Sequence, residues 1–173
     1  MPSPLGHALG GLGAGWLLSP HRPLDRSAVR QAAVFAMAGM AADLDLLVGS
    51  HRGPTHGLGA AALVGLLAYG VTRRGRLAAA IAVAYASHTL LDWLGSDTSA
   101  PVGIMALWPL SREYYESSLH VFQAISRRYR QPDFWMFNIR AIAREVLVLG
   151  PIVTAVVFLR RRKVGAAHLF IDD

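Results

Sequence analysis

Five apolar segments separated by polar connections dominate the sequence and restrict it to a helical fold. A helix needs about 20 residues to cross the hydrocarbon core of a bilayer. The second, fourth and fifth segments approach that length, and the first and third are shorter. Only 16% of the residues are charged, against about 25% in a typical soluble domain. We predict an all-α membrane protein, forming one domain over residues 1–173, with about five apolar helices at residues 5–18, 28–48, 57–71, 77–94 and 141–159.

The stretch 95–140, between the fourth and fifth segments, is the least hydrophobic part of the chain. Leu119, Phe122 and Ile125 recur near helical spacing beside basic residues, which is typical of a helix lying in the membrane interface. The aromatic run "DFWMFN" that follows indicates an anchor at the level of the lipid headgroups. We therefore predict a loop or helical insert at 95–140 on the membrane surface.

The first segment contains a glycine pattern with two interpretations. Its glycines occur four residues apart in two registers, which allows helices to approach closely in lipid. The same run superficially resembles a phosphate-binding loop, but the Lys-Ser/Thr ending and a preceding strand are missing. Close helix packing is therefore the better interpretation of Gly6, Gly10, Gly11 and Gly15.

The formal net charge of +6 is grouped rather than spread along the chain. If the five segments alternate in direction, three basic clusters fall on one side, and the positive-inside rule places that side in the cytoplasm. Too little polar surface remains for nucleic acid to be an expected partner. The insert has six arginines on the opposite side, which weakens the bias. The three clusters are Arg22, Arg26 and Arg30; Arg73, Arg74 and Arg76; and Arg160, Arg161, Arg162 and Lys163.

Ionisable residues in or beside the apolar segments gather at the ends opposite those basic clusters. Charged groups within membrane segments are costly and are commonly functional. The topology was derived from the arginines alone, so the two patterns agree independently. We predict one polar layer at the non-cytoplasmic face of a multi-pass inner-membrane protein, made of His7, Asp43, Asp45, His51, His56, His88, Asp92 and Glu145.

The spacing within this layer suits metal binding. His88 and Asp92 lie four residues apart on one helix face and can bind one ion or bridge two. Asp43 and Asp45 point apart on a continuous helix. Both can be ligands only if the helix ends there, as Gly49 permits; alternatively, Asp43 is a ligand and Asp45 orients a histidine.

The motif "HRGPTH" at residues 51–56 adds two imidazoles, which the Gly53-Pro54 turn allows to converge. The chain has no cysteine, and histidine with carboxylate suits Zn²⁺ first, with Mn²⁺ or Fe²⁺ as alternatives, for one or two ions. Each motif taken singly also has a structural explanation, such as a helix end or a hydrogen-bonded pair. Glu145 can equally pair with Arg140 or Arg144.

These motifs together resemble a known family. His7, "DLD" at 43–45, "HRGPTH" at 51–56, "SHTLLD" at 87–92 and "WPLS" at 108–111 are similar to the YdjM-like family of small membrane-bound proteins from bacteria and archaea. That family is classed among metal-dependent hydrolases. Its order of ligands is similar to that of zinc-dependent phospholipase C and single-strand nucleases. The resemblance implies His7, Asp43, His56, His88 and Asp92 as ligands, with Asp92 as a candidate bridge.

We therefore predict a hydrolase, a phosphoesterase acting on a lipid or another headgroup-level anionic substrate in the bilayer. Arg52 and Arg112 are candidates to hold the anionic group, because a guanidinium binds phosphate bidentately; anchoring to lipid headgroups is the alternative. The rival function is a non-enzymatic metal protein with a structural, sensor or carrier role. A carrier is disfavoured, because the cytoplasmic halves of the segments have few polar residues.

Overall fold

The fold was determined as a computed structural model, which describes residues 1–19, 25–48 and 51–169. Arg22 and Gly49, which entered the predictions, lie outside these residues. The described residues form no β-strand, only two isolated bridges, so the all-α prediction is confirmed. Five α-helices and two 3₁₀ segments follow one another: α1 (Pro4–Leu18), α2 (Arg26–Met40), η1 (Ala41–Val48), η2 (Pro54–His56), α3 (Leu58–Thr72), α4 (Gly75–Trp93) and α5 (Phe134–Leu169).

The centre of the bundle is α1, which packs against α2, α4 and α5, while α3 packs on α4. The glycines of α1 permit this central position, because a Cβ at Gly11 would overlap the carbonyl oxygen of Phe35 and the Cα of Gly39. Phe35 is fully buried and packs with Trp16 and Val156. The predicted role of the glycines in helix packing is thus confirmed at Gly11.

Among the described residues, two helical segments are long and apolar enough to cross a membrane, Arg26–Val48 and Phe134–Arg161. Only 28% and 17% of their most apolar windows are buried, whereas a core helix of a soluble protein would be mostly buried. Helix α3 spans 15 residues, about 22 Å, and is shorter than the bilayer core of about 30 Å. Its leucines are nevertheless exposed, with 67% for Leu66 and 71% for Leu67.

The helix predicted around Leu119, Phe122 and Ile125 is wrong, since residues 94–133 contain no helix. Phe122 is 2% exposed and packs with buried Leu91 and Leu149, so it faces the core rather than lipid. Its carbonyl oxygen accepts a hydrogen bond from the Ser96 amide at 2.9 Å, which holds this stretch extended. Tertiary packing and backbone pairing therefore override a helix-like spacing of three apolar residues.

Helix α5 begins at Phe134, seven residues before the predicted segment, so the "DFWMFN" run forms its first turns. Trp135 is 74% exposed there, as an interfacial anchor would be. Pro151 lies inside α5 without ending it.

Arg160, one of the basic residues used to assign the cytoplasmic side, also has a structural role at the end of α1. Its side chain is buried at 2% exposure, and Nη1 donates to the Trp16 carbonyl at 3.0 Å and to Ser19 Oγ at 2.7 Å. The guanidinium also lies 5.4 Å from the centroid of the Trp16 ring. Arg160 thereby satisfies carbonyl groups at the C-terminal end of α1, which has no basic residue of its own in its last turn.

Helix α2 begins with a side-chain cap at the same end of the bundle. The Asp25 carboxylate accepts hydrogen bonds from Ser27 Oγ at 2.7 Å and from the Ala28 amide at 2.9 Å. The bond from Ser27, and then that from Ala28, lower the pKa of the Asp25 carboxyl below its usual value. The cap satisfies one amide of the first turn.

Candidate metal centre

Three secondary-structure ends and one loop bring the histidines and aspartates together. His7 lies in the first turns of α1, and His88 and Asp92 lie in the last turns of α4. The α-helical conformation of α2 ends at Met40, and Asp43 follows in the tighter η1 segment, with Asp45 on its next turn. A 3₁₀ segment has three residues per turn, so these aspartates project closer to one direction than they would on an α-helix.

Asp45 fixes the orientation of the histidines in the "HRGPTH" loop. Its Oδ1 lies 2.8 Å from His51 Nδ1, and its Oδ2 lies 3.2 Å from His56 Nδ1. The Thr55 hydroxyl donates to the same Oδ2 at 2.7 Å. Because both Nδ1 atoms are engaged, the Nε2 atom of each ring is left as the ligand atom. This is the arrangement in which Asp45 orients histidines rather than acting as a ligand itself.

His88 is oriented in the same way by a backbone group. Its Nδ1 lies 2.8 Å from the carbonyl oxygen of Gly39, next to the close crossing of α1 and α2. The His7 ring stacks on the His88 ring with centroids 3.8 Å apart. Both rings therefore present Nε2 to the same region.

The four Nε2 atoms converge on two carboxylates, with His51 the most distant, at 4.0 Å from Asp43 Oδ1. Asp92 Oδ1 lies 3.3 Å from His7 Nε2, and Asp92 Oδ2 lies 3.1 Å from His88 and 3.5 Å from His56. Asp43 Oδ1 lies 3.7 Å from the Nε2 atoms of both His56 and His88. Ligands at about 2.0–2.1 Å around a tetrahedral zinc ion are about 3.3 Å from one another. The observed separations fit atoms that share an ion.

The burial and hydrogen bonding of these atoms favour the same interpretation. His7, His56 and His88 are 0% exposed and Asp92 is 4% exposed. The Nε2 atoms of His7, His51, His56 and His88 and both oxygens of Asp92 are buried without a hydrogen-bond partner. Buried polar atoms are nearly always satisfied, and leaving several unpaired in one place is costly. One or two bound cations would give these atoms the partners that they lack.

The described residues give three overlapping groups with metal-binding geometry, of which the first two share His88 and the last two share His56. Sharing of this kind is compatible with one ion or with two adjacent ions. The groups are His7, His88 and Asp92; Asp43, His56 and His88; and Asp45, His51 and His56.

Glu145, a predicted ligand, is placed in a different role. It is 0% exposed, its Oε1 accepts a hydrogen bond from the Ser3 amide at 2.6 Å, and its Oε2 is bonded to the Ser3 hydroxyl. It belongs to none of the three groups among the described residues. The carboxylate is thus occupied in fixing the start of α1 to α5, and it pairs with neither Arg140 nor Arg144.

The two arginines predicted to bind an anion have other surroundings: Arg52 lines the cavity beside the cluster but is engaged by protein groups, and Arg112 does not line it. Arg52 forms an ion pair with Asp97, and its Nη1 donates to the carbonyl oxygens of Ser99 and Pro101, both at 2.7 Å. Its guanidinium holds the "HRGPTH" loop against residues 97–101 and is not available to a substrate. Arg112 is exposed and does not line the cavity beside the cluster. Asp97 was missed from the sequence because nothing local relates it to Arg52, 45 residues earlier.

A cavity of about 770 Å³ opens beside the cluster. Asp43 and His51 line it, with side chains 22% and 16% exposed, whereas the other ligand candidates lie behind them. The cavity is also lined by Arg127, Arg128 and the aromatic rings at the start of α5. The cluster is therefore closed toward the bundle and open toward this cavity.

Outward-facing apolar helices around a buried His/Asp cluster define a helical membrane protein with a candidate metal centre. The chain belongs to the YdjM inner membrane protein family, whose family model matches residues 1–170. The resemblance found from the sequence motifs is thereby confirmed. Comparison with curated proteins and with solved structures gives no match.

Proposed function

We propose that this protein is a multi-pass inner-membrane hydrolase that depends on one or two divalent metal ions, with zinc as the first candidate. The observation that carries the proposal is the set of buried, unpaired Nε2 atoms that converge on Asp43 and Asp92 beside an open cavity. A structural zinc site is coordinatively closed, whereas a catalytic site keeps a position open to water and substrate.

The residues have separate tasks in this proposal. His7, Asp43, His56, His88 and Asp92 would hold the metal, with His51 as a further ligand at the cavity edge. Asp45 and the Gly39 carbonyl keep the imidazoles in the required tautomer and orientation. A divalent cation bound there would supply an activated water and an electrophile for ester hydrolysis.

The proposed substrate is a lipid or headgroup-level phosphoester, for which the location of the cavity is the argument. The cavity is lined by Phe134 and Phe137, in the first turns of the candidate span Phe134–Arg161. An opening at the end of a membrane-spanning helix lies at headgroup depth, on the non-cytoplasmic face by the distribution of basic residues. In the reaction, water adds to phosphorus and the P–O bond to the alcohol breaks.

The test is a set of phosphatase and phosphodiesterase assays on purified protein with phospholipid substrates. The protein is stripped with chelator and then given Zn²⁺, Mn²⁺ or Fe²⁺ separately. We expect turnover that disappears on stripping, returns with one metal and is absent in Asp92→Asn. Asp25→Asn is the control, because this exposed cap lies apart from the cluster and asparagine caps a helix equally well. Turnover that persists in Asp92→Asn would contradict the proposal.

A structural metal site is the second candidate, and the full burial of His7, His56 and His88 favours it. In that case metal would raise the unfolding temperature strongly, yet no phosphoester would be hydrolysed. Measuring metal-dependent stability and turnover on the same preparation separates the two functions.

A further inference from the structure

One part of the cavity wall, formed by residues 126–128, carries positive charge that the hydrolase chemistry does not use. Arg127 and Arg128 line the cavity and are exposed, and neither side chain forms an ion pair with the described residues. Arg52, on the same cavity, is neutralised by Asp97. Three arginines and three aspartates line the cavity. With Arg52 paired to Asp97 and Asp43 placed in the metal cluster, Arg127 and Arg128 are left with one aspartate, Asp133, among the lining residues.

The backbone that carries the two arginines is fixed to α5. Asn138 Oδ1 accepts a hydrogen bond from the Ser126 amide at 2.7 Å, and Asn138 Nδ2 donates to the Ser126 carbonyl at 3.0 Å. Two residues earlier, the Ala124 amide donates to Ser96 Oγ at 3.1 Å. The backbone leading into Arg127 is therefore anchored at two points, which reduces the ordering entropy lost when a ligand binds there.

Apolar side chains also line the cavity, and others are exposed on the adjoining start of α5. Leu46, Phe134 and Phe137 line the cavity, and α5 carries outward-facing apolar residues from its first turn. Trp135 is 74% exposed and Ile139 is 56% exposed. A ligand with a charged end at Arg127 and Arg128 can therefore lay acyl chains along the start of α5.

We propose that Arg127 and Arg128 are specificity-determining residues that bind the negatively charged headgroup of a phospholipid. This inference rests on the proposed function, since it names the substrate class of the same site. Guanidinium groups match phosphate oxygens bidentately, and two of them on one wall favour a headgroup with net negative charge over a zwitterionic one. The arginines predicted from the sequence for this task, Arg52 and Arg112, are replaced by Arg127 and Arg128.

The test measures lipid binding rather than turnover. Native mass spectrometry on detergent-purified full chain compares dioleoyl phosphatidylglycerol with dioleoyl phosphatidylcholine, which share acyl chains and differ in headgroup charge. We expect the wild type to bind phosphatidylglycerol about tenfold more tightly, and the double variant Arg127→Ala/Arg128→Ala to lose that preference. Arg127→Lys/Arg128→Lys should keep part of it, because charge remains but the bidentate geometry is lost.

The matched control is Arg112→Ala/Arg130→Ala, which removes the same charge from exposed positions that do not line the cavity. It should keep the preference of the wild type. Equal loss in both double variants, or a wild type that does not prefer the anionic lipid, would overturn the inference. Metal content is measured on the same samples. If the wild type holds no metal but still prefers the anionic lipid, the proposed hydrolase function is contradicted and the lipid-binding inference is not.

Discussion

Asp45 is the residue on which the orientation of the candidate centre depends most. One carboxylate bonds the Nδ1 atoms of two histidines and a threonine hydroxyl, so it sets the direction of both Nε2 atoms. Asp45→Asn keeps the size of the side chain but replaces one acceptor oxygen with a donor. We expect metal affinity to fall by about 10–100-fold, as for other groups that orient metal-bound histidines.

A chelator competition titration measures this affinity, with Asp25→Asn as the control. Secondary structure should stay unchanged in both variants, as followed by circular dichroism. Unaltered metal affinity in Asp45→Asn would mean that the loop holds His51 and His56 without this carboxylate.

Residue types and spacing were enough to predict that most of these residues lie together. His88 and Asp92 share a helix face, and the Gly53-Pro54 turn allows His51 and His56 to approach each other. The tasks of Glu145 and Arg52 could not be predicted in this way. Each side chain is engaged by a partner remote in sequence, Ser3 and Asp97 respectively. Local pattern contains no information on which distant group satisfies a buried charge.

At the scale of helices, the contact between Glu145 and Ser3 joins the start of α1 to α5. Glu145→Ala leaves the buried Ser3 amide without its acceptor, which costs about 1–3 kcal/mol of unfolding free energy. Glu145→Gln separates the two roles better, because its amide can accept a hydrogen bond from the Ser3 amide and donate one to the Ser3 hydroxyl while the charge is removed. We expect Glu145→Gln to keep full metal content, and Glu145→Ala to unfold at lower temperature in a detergent melt.

The two roles considered for Glu145, metal ligand and acceptor for Ser3, lead to opposite expectations for the glutamine variant. If Glu145 were a ligand, the loss of its charge would lower the metal content of the glutamine variant. That result would restore the role predicted from sequence.

The crossing of α1 and α2 gives a second prediction at this scale. Gly11→Ala places a Cβ against the Phe35 carbonyl and the Gly39 Cα, and backbone cannot move aside easily. Overpacking of this kind costs about 1–3 kcal/mol. Gly70→Ala is the control, since nothing lies within 4 Å of its Cβ. Thermal unfolding should distinguish them; equal melting temperatures would mean that the helices separate without cost.

The elements themselves were largely predictable, since apolar runs of helical length match α1, α3 and α4 to within a few residues. The insert was not. Leu119, Phe122 and Ile125 have helical spacing, but the burial of Phe122 against Leu91 and Leu149 decides the conformation. The spacing of three apolar residues contains no information about such long-range packing.

At the scale of the whole molecule, we predict that the metal site lies on the non-cytoplasmic face of the membrane. The chain contains no cysteine, so single cysteines can report sidedness. Glu113→Cys lies in the insert and Arg74→Cys lies between α3 and α4, and both positions are exposed. In intact spheroplasts, a membrane-impermeant maleimide should label Glu113→Cys and spare Arg74→Cys until the membrane is permeabilised. The reverse pattern would place the centre in the cytoplasm.

The central claim is that the converging imidazoles and carboxylates hold metal, and metal content tests it most directly. Elemental analysis of purified protein, after reconstitution with Zn²⁺, Mn²⁺ or Fe²⁺, should give one or two ions per chain. His88→Ala and Asp92→Ala should each lower that number by at least one, while Asp25→Asn should not. A folded wild type that retains no metal after reconstitution, or variants that keep the full number of ions, would contradict the account.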